Sequence, residues 1–212
     1  VVGRDVHLPG VPSEALQPAA LRRHFVAPPV WSPELRAEPA FSNRTPTQAS
    51  VLVPLVMRDT LTVLLTHRTS HLSSHSGQVA FPGGKADPED TDAVATALRE
   101  AQEEIGLSAA HVEVLGTMPT YTTGSAFVVT PVVALVDAAM VIEANPHEVA
   151  QVFEVPLPFL MDPANHRRHR VQWEGQEREW LSMPYHDGQM EHFIWGATAG
   201  MLRNLYRFLQ AH

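Results

Sequence analysis

The sequence contains no cysteine. Disulfides, thiolate zinc sites and a Cys nucleophile are therefore excluded, and the cytosol is weakly favoured. It also lacks an excess of basic residues. With a formal net charge of −8, the chain has no basic face of the kind a general nucleic-acid binder needs. That charge does not exclude a small anionic substrate, because bound cations can supply the local positive charge. No apolar run is long enough to span a membrane; the longest, Ala126 to Val136, is too short and carries Pro131. The start, Val1-Val2-Gly3-Arg4-Asp5, is not followed by the apolar core of a secretory leader, so a cytoplasmic location is expected. A first residue other than Met suggests a trimmed start. What is present, 212 residues of which 44% are hydrophobic, suits one domain with extensions and a core of ordinary size.

Residues 1–49 are rich in Pro and weakly periodic. Ser13 is a fair N-cap for a short helix reaching about Phe25. Pro28-Pro29, Pro33 and Pro39 then punctuate an extended arm, which either wraps the core or joins a homodimer. The main domain is expected over 50–212. Ser50–Arg58 and Leu61–His67 read as strands around a tight Asp59-Thr60 turn, and Gln78–Phe81 as a short strand. A helix follows over Thr91–Ile105. Val112–Met118, Phe127–Val136 and Glu148–Val155 read as strands, the first two rich in β-branched residues. Pro156–Met161 reads as a helical turn, Arg168–Glu174 and Arg178–Tyr185 as a hairpin, and Thr198–Ala211 as a final helix. Strands before and after one buried helix, with a second helix at the end, indicate an α+β sandwich.

The most informative segment runs from Gly83-Gly84-Lys85 to Leu107. Glu100, Glu103 and Glu104 stand at i, i+3 and i+4, so their side chains share one helix face. Left alone, the trio costs roughly 0.5–1.5 kcal/mol by like-charge repulsion. A hard divalent cation reverses that sign, since Mg²⁺ takes oxygen ligands from carboxylates and substrate phosphates. A Glu-Glu pair is ordinarily only a solvated face. Here it has a context: Ala93, Ala97, Leu98 and Ala101 form a small apolar stripe, Gly106 suits the helix end, Arg99 can reach Glu103, and the paired glycines allow close approach of backbone. His67, His71 and His75 recur every four residues, as metal ligands on a helix would. The flanking strand and the Ser- and Gly-containing loop instead favour scattered imidazoles and anion recognition by Arg68 and His75.

Arg99-Glu100-Ala101-Gln102-Glu103-Glu104-Ile105-Gly106-Leu107 resembles the second half of the Nudix hydrolase signature at every specified position. The first half departs from it: one extra residue lies between Gly84 and Arg99, and Asp90, Thr91 or Asp92 stands where the family has its early Glu. Leu64-Leu65-Thr66-His67-Arg68, Leu72, His75, Gly77-Gln78 and Phe81-Pro82-Gly83-Gly84 resemble the additional motif of the coenzyme A pyrophosphatase branch, which commonly has the longer spacing and the Asp. Ser73 stands where that branch often carries a basic residue. Phe193 to Ala199 resembles the branch with less specificity.

The resemblance implies a Nudix-type α/β/α sandwich with a mixed sheet and the signature helix packed on it. It implies hydrolysis of the coenzyme A diphosphate, or that of its derivatives, to 3′-phospho-AMP and 4′-phosphopantetheine with Mg²⁺ or Mn²⁺. Glu100, Glu103 and Glu104 are the expected metal ligands, and any of the three can hold the attacking water. Arg99 is expected to orient Glu103. Glu148 is the candidate for a later-loop base or ligand, with Glu143 as the alternative and solvated loop acids as the plain reading of both. Arg68, His75, Phe81, Gly83 and Gly84 are expected at the substrate, with Arg68 on the 3′-phosphate. Asp87, Glu89, Asp90 and Asp92 are expected as loop and helix-start acids. Two other readings stay open: a Nudix hydrolase acting on ADP-ribose, dinucleotides or another nucleoside diphosphate derivative, and a non-catalytic nucleotide- or protein-binding module.

Overall fold

The computed structural model describes residues 1–38, 45–69, 77–173 and 176–211. Its centre is a strand pair whose sequences are apolar almost throughout, as strands covered on both faces must be. β2 (Thr47–Val56) and β8 (Phe127–Val136) lie parallel over their whole length, in register from Thr47↔Phe127 to Val56↔Val136. Around them, β3 (Thr62–Arg68), β5 (Gly83–Lys85), β6 (Val112–Thr117) and β7 (Tyr121–Thr122) add antiparallel, as do β4 (Val79–Ala80) and β9 (Val149–Pro156) on β3. The result is a mixed eight-stranded sheet.

One flank of β2 is forked, and the fork positions the site. β3 pairs with β2 only at Leu55 and Val56, while β5 takes over at Ala49 to Val51. Between them, the Leu52 N–H donates to the Pro82 carbonyl at 2.8 Å. Pro54 lies two residues further along, so its ring nitrogen points to the same flank, where the ladder is interrupted. That gap is how a proline is tolerated inside a central strand. The β4–β5 segment is thus wedged into the sheet beside the end of β3.

The two faces of the sheet are covered differently. Leu52, Val56, Val132, Ala134 and Val136 pack against Ala97, Ala101 and Ile105 of α2 (Ala93–Ile105). Val53, Leu55, Val133 and Leu135 face the other way, into a cluster shared with Leu21 of α1 (Pro18–Val26) and Leu202, Leu205 and Phe208 of α4 (Gly196–Gln210). A second sheet, β1 (Gly3–Arg4), β10 (Arg167–Trp173), β11 (Gln176–His186) and β12 (Glu191–Trp195), closes that side in antiparallel order. The short α3 (Leu157–Leu160) follows β9. This is an α+β fold with helices on both faces of a mixed sheet.

The expected helix start at Ser13 is corrected: residues 13–16 form turns, and α1 begins at Pro18, whose fixed φ and absent N–H suit a first helical position. The N-terminal segment wraps the core. Arg168 makes a paired contact with Asp5 (2.8 and 2.8 Å) and reaches Glu34 at 2.8 Å. Arg203, only 1% exposed, bonds Glu34 at 2.8 Å and Asp5 at 3.1 Å. Leu35 exchanges backbone bonds with the Asn204 amide, and the Tyr206 hydroxyl donates to the Pro9 carbonyl. Asp5 and Glu34 keep Arg168 when Arg203 is removed, but each loses one of the cations that hold it. Arg203→Ala is therefore expected to lower the unfolding free energy by about 1.5–3 kcal/mol, the scale of a charged hydrogen bond, measured by urea denaturation; a loss below about 1 kcal/mol, the range of an exposed pair, contradicts the clamp.

Candidate active site

The α2 helix is set by local signals. The Asp92 carboxylate accepts the Ala95 N–H at 2.8 Å as N-cap, and Gly106 ends the helix at φ 68°, a left-handed conformation that glycine adopts without a Cβ clash. The apolar stripe fixes the helix rotation on the sheet. That rotation drives Glu104 inward, to 2% exposure, leaves Glu100 mostly covered at 15%, and leaves Glu103 outward at 56%.

Glu104 reaches the fork. Its Oε1 accepts from Arg68 Nη1 and its Oε2 from the Gly83 N–H, both at 3.1 Å. Burial, with repulsion from Glu100 and Glu148, pushes its carboxyl up to about 7, against the opposing pull of the Gly83 N–H and Arg68. Burial also raises Glu100, with Glu103 and Glu148 adding repulsion against Arg99. The paired glycines open β5, an inserted strand. A Cβ on Gly83 would stand 2.6 Å from Val51 Cα, and one on Gly84 2.5 Å from the Glu100 carboxyl carbon. Both positions need glycine for close approach.

Arg99 organises the outer side of the cluster. It forks onto Asp90 (3.0 and 2.9 Å), donates to Glu100 at 2.9 Å and Glu103 at 3.3 Å, and bonds the Lys85 carbonyl at 3.0 Å. Asp90, held well below the usual carboxylate range by Arg99 and the Asp87 N–H, is the acid that meets the arginine. Thr91 and Asp92 are not; Asp92 is the helix cap. Asp90 is therefore not a plain loop acid but the partner of Arg99, and its sequence signal is the displaced early acid of the signature. Arg99 consequently positions Glu100 more closely than Glu103.

The later loop is tied to the end of α2. The Glu143 N–H donates to the Ile105 carbonyl at 2.9 Å, and the Asn145 N–H to the Glu104 carbonyl at 2.8 Å. The Asn145 side chain turns back to Glu148 at 3.4 Å, and the Glu148 carbonyl accepts from Thr69. Glu148 is thereby held where its charge acts on Glu100 and Glu104, whereas Glu143 sits over Gly106 at the helix end. His67 is not part of a helical metal triad: it lies on β3, with Nε2 2.9 Å from His192 Nδ1. His71 and His75 lie outside the described residues.

The family resemblance places Arg68 at a 3′-phosphate, away from the metal acids. Its side chain instead lies on Glu104. It also lines a cavity of about 380 Å³ on the side of β5 away from α2, together with Phe81, Gly83, Gly84, Phe127 and Trp195. Among the described residues, no three acidic or imidazole side chains already converge as a coordination shell. The donor set nevertheless fits a hard divalent cation: the carboxyls of Glu100 and Glu104 are buried and driven toward protonation, and Glu148 is near enough for its charge to act on both.

A carboxyl raised from 4.5 to about 7 binds its proton more tightly in the folded chain than in the unfolded one. Its stabilising contribution is present below about pH 4.5 and is lost as pH rises through 7. Without divalent ions, Glu104→Gln is therefore expected to melt several degrees higher than the unsubstituted protein at pH 8, with the gap shrinking toward pH 5. Calorimetry in chelator reads this, and a gap independent of pH contradicts it.

Comparison with known proteins shows the family. A profile described as NUDIX domain matches residues 46–182. The chain is 42% identical over 166 residues to a protein of Yersinia pestis (strain Pestoides F) named Uncharacterized Nudix hydrolase NudL, covering 78% of this chain and 81% of that one. The same figures hold for the protein of that name from Yersinia pseudotuberculosis serotype O:1b (strain IP 31758). A solved MutT/nudix family protein from Enterococcus faecalis aligns at TM-score 0.49 and 18% identity, covering 78% of this chain and 63% of that one. On the profile match and the Yersinia relatives, the chain belongs to the Nudix hydrolase family, pyrophosphohydrolases that use divalent cations on nucleotide substrates.

Proposed function

We propose that the protein hydrolyses the diphosphate bond of coenzyme A or its derivatives, releasing 3′-phospho-AMP and 4′-phosphopantetheine. One observation carries this reading. The two ends of the segment that resembles the coenzyme A branch, Arg68 and Gly83, meet on the two oxygens of one signature acid, Glu104. The cavity opens from the same point, which suits a diphosphate at the fork with one arm of the substrate inside.

Glu100, Glu103 and Glu104 would hold Mg²⁺ or Mn²⁺, with Glu148 as a further ligand or as the base for the attacking water. When bound, the cation neutralises non-bridging diphosphate oxygens and makes water a better nucleophile. Arg99 keeps the Glu100 carboxylate oriented through its 2.9 Å bond and is itself anchored on Asp90. Arg68 donates to the diphosphate oxygens from the end of β3, a charge-assisted contact at the group that gains negative charge. The apolar cavity wall and the buried side of α2 keep bulk water off the inner carboxylate.

Chromatography of products from coenzyme A, with Mg²⁺ or Mn²⁺, is expected to show those two phosphates. Release from ADP-ribose or a dinucleotide with coenzyme A left intact would overturn the substrate. Glu104→Gln is expected to lower kcat on the order of 10²–10³-fold; a wild-type rate in that variant rejects its role. Glu148→Gln should lower kcat by more than tenfold, within the usual range for a base or charge-stabilising group, while Glu143→Gln should change it less than twofold, as for a surface change. The reverse order assigns the later acid to Glu143.

A further inference from the structure

Lys85 is the only lysine in the sequence, and neither the family signature nor the site above uses its side chain. It closes β5. Side chains alternate along a strand, and Gly84 faces Glu100 on the α2 side, so Lys85 turns to the opposite face. There it lines the cavity, with Nζ 5.8 Å from the centre of the Phe127 ring. Among the described residues it makes no salt bridge. Its backbone is not idle: its carbonyl takes an N–H of Arg99, so the ammonium is carried on a strand locked to the catalytic cluster. Glu38, the one acid on the described cavity wall, already takes the Gly124 N–H at 2.9 Å.

The cavity therefore has two cations at distinct places. Arg68 stands at the fork, beside the diphosphate. Lys85 stands one strand face away, over an aromatic ring, in a space lined also by Phe81, Trp195 and Met201. The two halves of a coenzyme A molecule differ in the chemistry this arrangement suits. The pantetheine arm carries no charge and no ring. The nucleoside half carries a flat purine, suited to aromatic walls, and a second phosphate one ribose away from the diphosphate. We infer that the cavity receives the purine nucleoside half and that Lys85 is the residue that reads its 3′-phosphate. This rests on the coenzyme A reading proposed above and deepens it.

Two measurements test it. In the first, kcat and KM are determined for coenzyme A and for dephospho-coenzyme A with the unsubstituted enzyme, Lys85→Ala, Lys85→Arg and Arg68→Ala. Lys85→Ala is expected to raise KM for coenzyme A about tenfold or more relative to its effect on the dephospho form, the scale of one charged hydrogen bond. Lys85→Arg should restore most of that ratio, and Arg68→Ala should weaken both substrates alike. Equal effects of Lys85→Ala on both substrates overturn the inference while leaving the activity standing. In the second, the lysine is labelled with an amine-reactive reagent and its peptide quantified by mass spectrometry, with no turnover needed. Adenosine 3′,5′-bisphosphate is expected to protect Lys85 at concentrations where 5′-AMP does not. Equal protection by the two, or none by either, overturns the inference even if coenzyme A proves not to be the substrate.

Discussion

A carboxylate kept out of water governs this site. Glu104 is buried by the same apolar stripe that seats α2 on the sheet, so its position follows from core packing rather than from a surface loop. Buried, it faces Arg68 and one backbone N–H but also two other acids, and the balance leaves its carboxyl up at about 7. Such an arrangement is unfavourable for the empty protein and favourable once a divalent ion arrives. Folding energy supplied by Ala97, Ala101 and Ile105 on one face thus holds a strained set of charges at the sheet edge.

The sheet fork gives that carboxylate its partners. β3 leaves β2 after two pairs, and β5 is inserted in its place, bringing Arg68 and Gly83 to the same acid from two different strands. Gly84 makes room for Glu100, and the strand face behind it opens into the cavity. On the proposed reading, reaction chemistry and substrate recognition lie on opposite sides of one three-residue strand. The N-terminal segment, clamped by the Asp5, Glu34, Arg168 and Arg203 charges, closes the far side of the molecule and contributes Glu38 to the cavity rim.

Much of this was legible where the signal is local. Asp92, the alanine stripe and Gly106 define α2 within a few residues of where it lies, and β8 runs over the β-branched stretch that suggested it. What depends on distant partners was not. β5 is Gly-Gly-Lys, with no strand propensity, and exists because β2 offers it a ladder. β12 hides its pattern: His192 points inward, stacked 3.8 Å from Phe153 and bonded to Asp187, while Phe193 and Trp195 are partly exposed. Asp90 could not be told from Thr91 and Asp92 by position alone, since Arg99 selects it across nine residues of chain. The sequence offers Arg68 as a candidate for anion binding, but its place on Glu104 depends on where β3 ends beside the inserted strand.

The central claim, that this buried acidic cluster exists to hold a divalent ion, is tested most directly by titrating Mn²⁺ into the protein and following free ion by electron paramagnetic resonance, for the unsubstituted chain and for Glu100→Gln and Glu104→Gln. The account predicts saturable binding that either substitution weakens by at least about tenfold, the effect of about 1.4 kcal/mol. Undiminished Mn²⁺ affinity in both variants would contradict it.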